Sequence, residues 1–162
     1  MLFVVASATA RGFAEASHAL ADLPFAEVRQ GSILEVDPGA DALVMHYTLA
    51  SDRYGGRPVP GTAQVLANRT GDGLPPVVLA TPPLEAGAGL GPDVTAETER
   101  HAERMVGLAL DAWLASDLRP ASADDALCLI HLEGAGLDFG ETGALLRGLG
   151  RALAAHAPTA FS

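Results

Sequence analysis

The stretch DALCLIHLEGAGLDFGETGALL, residues 125–146, decides how the chain is read. An apolar run, a glycine-studded loop and a leucine-rich run follow one another, which is the order strand, turn, helix. The spacing Gly134-x-Gly136-x-x-x-Gly140 comes near a dinucleotide-binding fingerprint. Such a fingerprint opens its domain, and further strands follow it to complete the sheet and carry a ribose-binding acid. Only 22 residues remain after Gly140, room for one helix and a tail. That position argues against a Rossmann dinucleotide site. Two readings of the loop stay open. One is a phosphate cradle, in which backbone amides and a helix start hold an anion without a lysine. The other is a plain turn.

Upstream, the pattern is that of strands alternating with helices. LFVVAS (2–7) and DALVMHY (41–47) are continuous apolar runs, as expected of buried strands. RGFAEASHALADL (11–23) carries Phe13, Ala16, Ala19 and Leu20 at helical spacing. FAEVRQGSILEV (25–36) predicts a strand, a turn at Gly31-Ser32 and a short extended piece. TLASDRYGGRPVPG (48–61) predicts a loop from its glycine and proline content. TAQVLA and PPVVLAT predict two strands joined by the glycine-rich NRTGDGLP. Residues 82–94 are the longest stretch without a pattern. TAETERHAERMVGLALDAWLAS (95–116) is the clearest helix, with Thr95 as N-cap and an apolar stripe from Ala102 to Leu114. A last helix is expected over about 141–156. Together these predict an α/β fold of about six strands in a largely parallel or mixed sheet. Residues 1–156 form a single domain, and 157–162 a C-terminal tail.

Composition narrows the function. Apolar residues make up 49% of 162, too many for a disordered chain. The longest apolar runs fall far short of the roughly 20 residues that span a bilayer, and a signal-peptide pattern is missing from the start. The expectation is a cytoplasmic protein without a membrane partner. The formal net charge of −10 repels nucleic-acid backbones, so no nucleic-acid partner is expected. All ten basic residues are arginines, which closes Walker-A and nucleophilic-lysine chemistry. The single cysteine, Cys128, reads as a small core residue. His46 and His131 fall in strand-like runs and read as hydrogen-bonded, half-buried side chains. His101 falls on the charged face of the long helix, and His18 and His156 on amphipathic helices. No H-x-x-x-H, H-E-x-x-H, C-x-x-C or G-x-S-x-G spacing occurs, so neither a metal, a cofactor nor a hydrolase triad is expected.

Taken in order, the pieces resemble a family. VRQGSILEVDPGADALVMHYT (28–48) is similar to the opening of a macro domain, where a Gly-Asp-Ile turn precedes a strand that ends in an asparagine-rich loop. YGGRPVPGTAQVLANRTGDGLPPVVLATPP (54–83) resembles a later segment, with a glycine pair, a strand, a turn and a strand ending in an Ala-Pro-Thr-like sequence. The helix 95–116 and the stretch 126–146 resemble the long helix, last strand and ligand loop that complete it. The resemblance covers roughly residues 25–156 and is closest to phage-type and bacterial stand-alone macro-like proteins.

This resemblance implies a three-layer α/β/α sandwich that binds ADP-ribose, or a related nucleotide, at the C-terminal ends of its strands. It further implies hydrolysis of ADP-ribose conjugates, as in some members. The implied ligand contacts are Ser32, Ile33, Thr48, Gly55, Gly56, Gly134, Ala135, Gly136, Leu137 and Phe139. The 134–138 stretch corresponds to the pyrophosphate loop, and Phe139 falls near an aromatic position that packs on the distal ribose. The pattern also departs from the family. Ser32 stands where the family has its adenine-binding aspartate, and Met45 and Thr48 stand where it has asparagines. Gly55-Gly56 fits either of two glycine positions; the register favoured by the text after it implies deletion of the helix that follows the first ligand loop. A pyrophosphate-held water would be the nucleophile, with Asp52 and Asp138 the nearest side-chain candidates. A degenerate macro-like fold acting as an interaction or structural module, without nucleotide, is the alternative.

Overall fold

A computed structural model of the chain describes residues 1–33, 39–83 and 94–159. The extended piece expected over 34–36, most of the patternless stretch 82–94 and tail residues 160–162 lie outside the described residues. Among the described residues six strands and four helices follow in the order β1 (Leu2–Ser7), α1 (Ala10–Ala19), β2 (Ala26–Gln30), β3 (Ala42–Met45), α2 (Tyr47–Tyr54), β4 (Gln64–Ala67), β5 (Val77–Ala80), α3 (Val94–Ala115), β6 (Leu127–His131) and α4 (Thr142–Ala155). The fold is α/β, with one sheet of order β2-β1-β6-β3-β5-β4. All pairs run parallel except β4 with β5.

The central strands are apolar up to their C-terminal ends, where β1 ends in Ser7 and β6 in His131, because apolar side chains pack on both faces of the sheet. Phe3 and Val5 of β1, Ala42 and Val44 of β3, and Cys128 and Ile130 of β6 point to one face. There they meet Ala16 of α1, Val106, Leu110 and Trp113 of α3, and Leu145, Leu149 and Leu153 of α4. The alternate residues Val4, Ala6, Leu43, Met45 and Leu129 point to the other face, with Ala50 of α2. Cys128 is wholly buried in β6, and burial pushes its thiol up, as suits a core residue rather than a nucleophile.

Three expectations need correction. Residues 47–54 form the helix α2, not a loop, so a helix does follow β3 directly. It begins at His46, whose side-chain Nδ1 accepts the N–H of Thr48. Histidine 46 therefore lies past the end of β3 rather than within a strand. Thr95 likewise sits inside α3, which already runs from Val94, rather than capping it. The segments 64–67 and 77–80 do pair as two antiparallel strands across the glycine-rich turn.

That turn is held by Asp72. Its carboxylate accepts from the Tyr54 hydroxyl (2.6 Å), Asn68 Nδ2 (2.9 Å) and the Leu74 N–H (3.0 Å). Burial pushes the Asp72 carboxyl up, but these hydrogen bonds together outweigh it and hold the group well below the usual carboxylate range. Burial, and then the bond to Asp72, push the Tyr54 phenol up to about 12. A depressed folded-state pKa contributes stability that is complete above the unfolded value near 3.8 and is lost as pH falls below it. Asp72→Asn should therefore lower stability by about 1–2 kcal/mol at neutral pH. Denaturant melts of parent and variant should converge as the pH drops below about 4.

Helices α3 and α4 cross at a glycine. A methyl group on Gly148 would stand 2.1 Å from the Glu99 carbonyl oxygen, a clash that only backbone movement relieves. Glu99 is also met by Arg147 and Arg151 from α4. Gly107, by contrast, lies mid-helix in α3 with open space around it. Gly148→Ala should cost about 2 kcal/mol or more by overpacking. Gly107→Ala should raise stability by about 0.5–1 kcal/mol through helix propensity. Opposite shifts of the thermal midpoint are the expected result.

Candidate functional site

The final strand ends at His131, and the chain then folds into a closed turn before α4. The amide hydrogens of residues 134–137 are spent internally. The Gly134 N–H donates to His131 Nδ1 (3.2 Å), and Ala135 to the His131 carbonyl (2.8 Å). Gly136 N–H donates to the Glu133 carbonyl (3.2 Å), and Leu137 N–H to the Leu132 carbonyl (2.8 Å). Ala135 and Leu137 turn their side chains into the core. His131 is buried and acts as a brace: Nε2 meets the Gly31 carbonyl at 3.0 Å while Nδ1 accepts from Gly134. In that pattern Nε2 donates to Gly31.

The loop also grips the end of β3. The His46 N–H donates to the Gly134 carbonyl at 2.9 Å. Gly136 adopts φ +72°, and a methyl group there would come within 2.5 Å of the His46 ring. Glycine is thus required twice at this position, by conformation and by approach. Ile33 packs on Gly134, where an added methyl would meet its Cδ1 at 2.8 Å. Gly140, at φ +65°, rests against Thr98 of α3. The Thr98 and Thr81 hydroxyls are buried without a hydrogen-bond partner among the described residues.

A hollow opens on each side of this loop. The larger, a cleft of about 430 Å³, is walled by His46, Tyr47, Pro82, Pro83, His101, Met105, Gly136 and Phe139. It lies past the C-terminal ends of β3, β5 and β6, with α3 as one wall. The His46 and Tyr47 rings lie against each other, centroids 4.4 Å apart at 32°. The smaller, about 220 Å³, is lined by Ser7, Thr9, Arg11, Glu133, Asp138 and Thr142 among others, where α1 begins. The Glu133 carboxylate lies just ahead of that helix, accepting from Ser7 Oγ (2.6 Å) and the Ala8 N–H (3.1 Å), while Thr9 caps the Gly12 N–H.

Of the residues singled out in the sequence, Ile33, Gly134, Ala135, Gly136, Leu137 and Phe139 meet around the final loop. Thr48 touches the group through its N–H bond to His46, but its side chain is exposed. Ser32 is half-buried in the turn before the first undescribed segment. Gly55 and Gly56 lie at the far end of α2, where Gly56 faces Gln64 and Leu66 of β4. Asp52 is exposed on α2, and Asp138 faces the smaller hollow. The sequence reading passed over His46, Tyr47, His101 and Met105 as cleft residues. His101 was assigned to a charged face, yet it lies four residues before Met105 and so lines the cleft with it. Among the described residues no group of three or more His, Cys, Asp or Glu side chains could hold a metal ion, and no helix is long and apolar enough to cross a membrane.

No family model, curated protein or solved structure matches the chain. The macro-domain resemblance thus rests on the residues quoted for it. Whatever the ligand, the geometry of Gly136 makes a direct demand. Gly136→Ala should lower stability by at least about 1 kcal/mol, the cost of a left-handed side chain, with the His46 contact adding to it. Replacing His46 by Ala in the same background should recover the contact part, which a double-mutant cycle on denaturation measures.

Proposed function

We propose that this protein is a divergent macro-like domain, a three-layer α/β/α sandwich, whose cleft binds ADP-ribose or a related nucleotide. One observation carries the reading: the 430 Å³ cleft beyond the C-terminal ends of β3, β5 and β6, walled by Gly136 and Phe139 of the final loop. In open α/β sheets, ligands bind outside the carboxyl ends of strands where the order of progression reverses. Here the chain moves from β1 to β2 on one side and from β3 to β5 on the other, with β6 between. The cleft's size and its mix of apolar walls with a few polar groups suit a small-molecule site.

Hydrolysis of ADP-ribose conjugates belongs to this reading only as a secondary activity. Within the cleft the groups able to move protons are His46 and His101, rather than Asp52 or Asp138. A specific observation favours the second reading, an interaction or structural module without nucleotide. The amides of Gly134–Leu137 already have acceptors, so a phosphate could take them only by displacing internal bonds.

Calorimetric titration with ADP-ribose, paired with thermal shift, separates the two. Binding predicts heat and stabilisation of about 2.7 kcal/mol at a hundredfold excess over Kd. Neither heat nor stabilisation at millimolar ligand would leave the module reading in its place.

A further inference from the structure

We infer that the cleft recognises a neutral, flat heteroaromatic ring bearing a hydrogen-bond acceptor, of the purine type, and that the Nε2–H of His46 is the donor that reads it. The inference rests on the cleft being a small-molecule site and adds which part of the ligand is held.

The first argument is chemical. The walls are Tyr47, Phe139, Met105 and the prolines 82 and 83, with two imidazoles as the polar groups. Among the described residues neither a carboxylate nor a guanidinium lines the cleft, so none of them pairs with a full charge on a ligand. Aromatic and thioether surfaces favour a flat π system. A phosphate is poorly served on either side of the loop. The 134–137 amides are used, and the smaller hollow already holds the Glu133 carboxylate, bonded to Ser7 and the Ala8 N–H.

The second argument fixes a proton. His46 Nδ1 accepts the Thr48 N–H as the cap of α2, so in the neutral ring the hydrogen is on Nε2. That nitrogen has no partner among the described residues. The ring is also held in place, by the cap bond, by Tyr47 at 4.4 Å and by the close backbone at Gly136. A donor so fixed loses little entropy when it meets an acceptor. Ring nitrogens and carbonyls of purines supply such acceptors in the plane of the ring.

The test uses the full chain and three probes: adenosine, ADP-ribose and inorganic pyrophosphate. Calorimetry should give adenosine and ADP-ribose affinities within about tenfold of each other, and millimolar pyrophosphate should displace neither. His46→Asn keeps a good helix cap, while its shorter amide ends short of the Nε2 position. It should weaken adenosine about tenfold with an unchanged thermal midpoint, the effect of one hydrogen bond. In the parent protein, the Nε2 proton and nitrogen resonances of His46 should move as adenosine is added, a readout independent of any variant. Binding of ADP-ribose that pyrophosphate displaces, with no heat from adenosine, overturns this inference and leaves the nucleotide reading standing. Silence from both adenosine and ADP-ribose overturns both. Adenosine binding with full affinity by His46→Asn, or with His46 resonances unmoved, removes His46 as the donor.

Discussion

The structure depends on the insertion of β6 between β1 and β3. The last strand made is the one that joins the two halves of the sheet, pairing with β1 from Leu2↔Leu127 and with β3 from Ala42↔Cys128. Its entry is clamped by the Leu127 N–H on the Asp41 carboxylate (2.8 Å) and its exit by the Leu132 N–H on the Ala6 carbonyl (2.8 Å). A strand in that position has no exposed face. Cys128, Leu129 and Ile130 are accordingly all apolar or thiol and wholly buried, serving both cores at once. The same insertion decides where the following loop goes. A parallel strand between β1 and β3 releases the chain between the ends of those strands, so residues 132–140 lie between Ser7 and His46. The two hollows flanking the loop follow from topology before any side chain is considered.

Glycine then determines how closely the pieces meet. At Gly136 the backbone lies where a side chain would displace the His46 ring, and at Gly134 where one would strike Ile33. The imidazole of His131 ties this turn to Gly31 across the sheet end. Three segments remote in sequence, near 31, 46 and 134, are thereby held together by hydrogen bonds and contact rather than by a bound group. Such a turn is pre-formed. It also has few backbone donors left to offer, which separates the physical meaning of a glycine-rich loop from its usual association with phosphate.

The strands and three of the four helices were legible because their cause is local. Buried parallel strands must be continuously apolar, and LFVVAS, DALV and LCLI satisfy that over residues adjacent in sequence. The stripe on α3 repeats at helical spacing for the same reason. Helix α2 was not legible because it buries one residue, Ala50, and starts at a histidine, which is not a usual cap. Its helicity is set by His46 after the strand ends, and the glycines and proline that follow masked it. His101 was misassigned for a related reason. Its neighbours Glu97, Glu99, Arg100, Glu103 and Arg104 are charged, yet His101 sits at the margin of the stripe beside Ala102 and Met105 and reaches the cleft from there. The glycine spacing of the final loop was legible, but its hydrogen-bond partners were not. Whether an amide is free depends on carbonyls whose positions only the folded turn defines.

Charge explains why the two hollows differ. A helix start concentrates partial positive charge and attracts an anion. Just before α1, whose Gly12 N–H is capped by Thr9, stands the protein's own Glu133, hydrogen-bonded to Ser7 and Ala8, with Asp138 on the same side of the loop. Arg11 lies there too, but it is exposed and bonded to Glu15, so its charge is shared with another acid. An incoming phosphate would have to displace a tethered carboxylate, whose effective concentration exceeds that of a free ligand. Among the described residues the cleft on the other side carries no such charge. With a protein of net charge −10 around it, an uncharged aromatic group is the ligand part that this side can take up with the least electrostatic cost. The loop thus divides the strand ends into a side whose carboxylate is already hydrogen-bonded and an apolar side that is open.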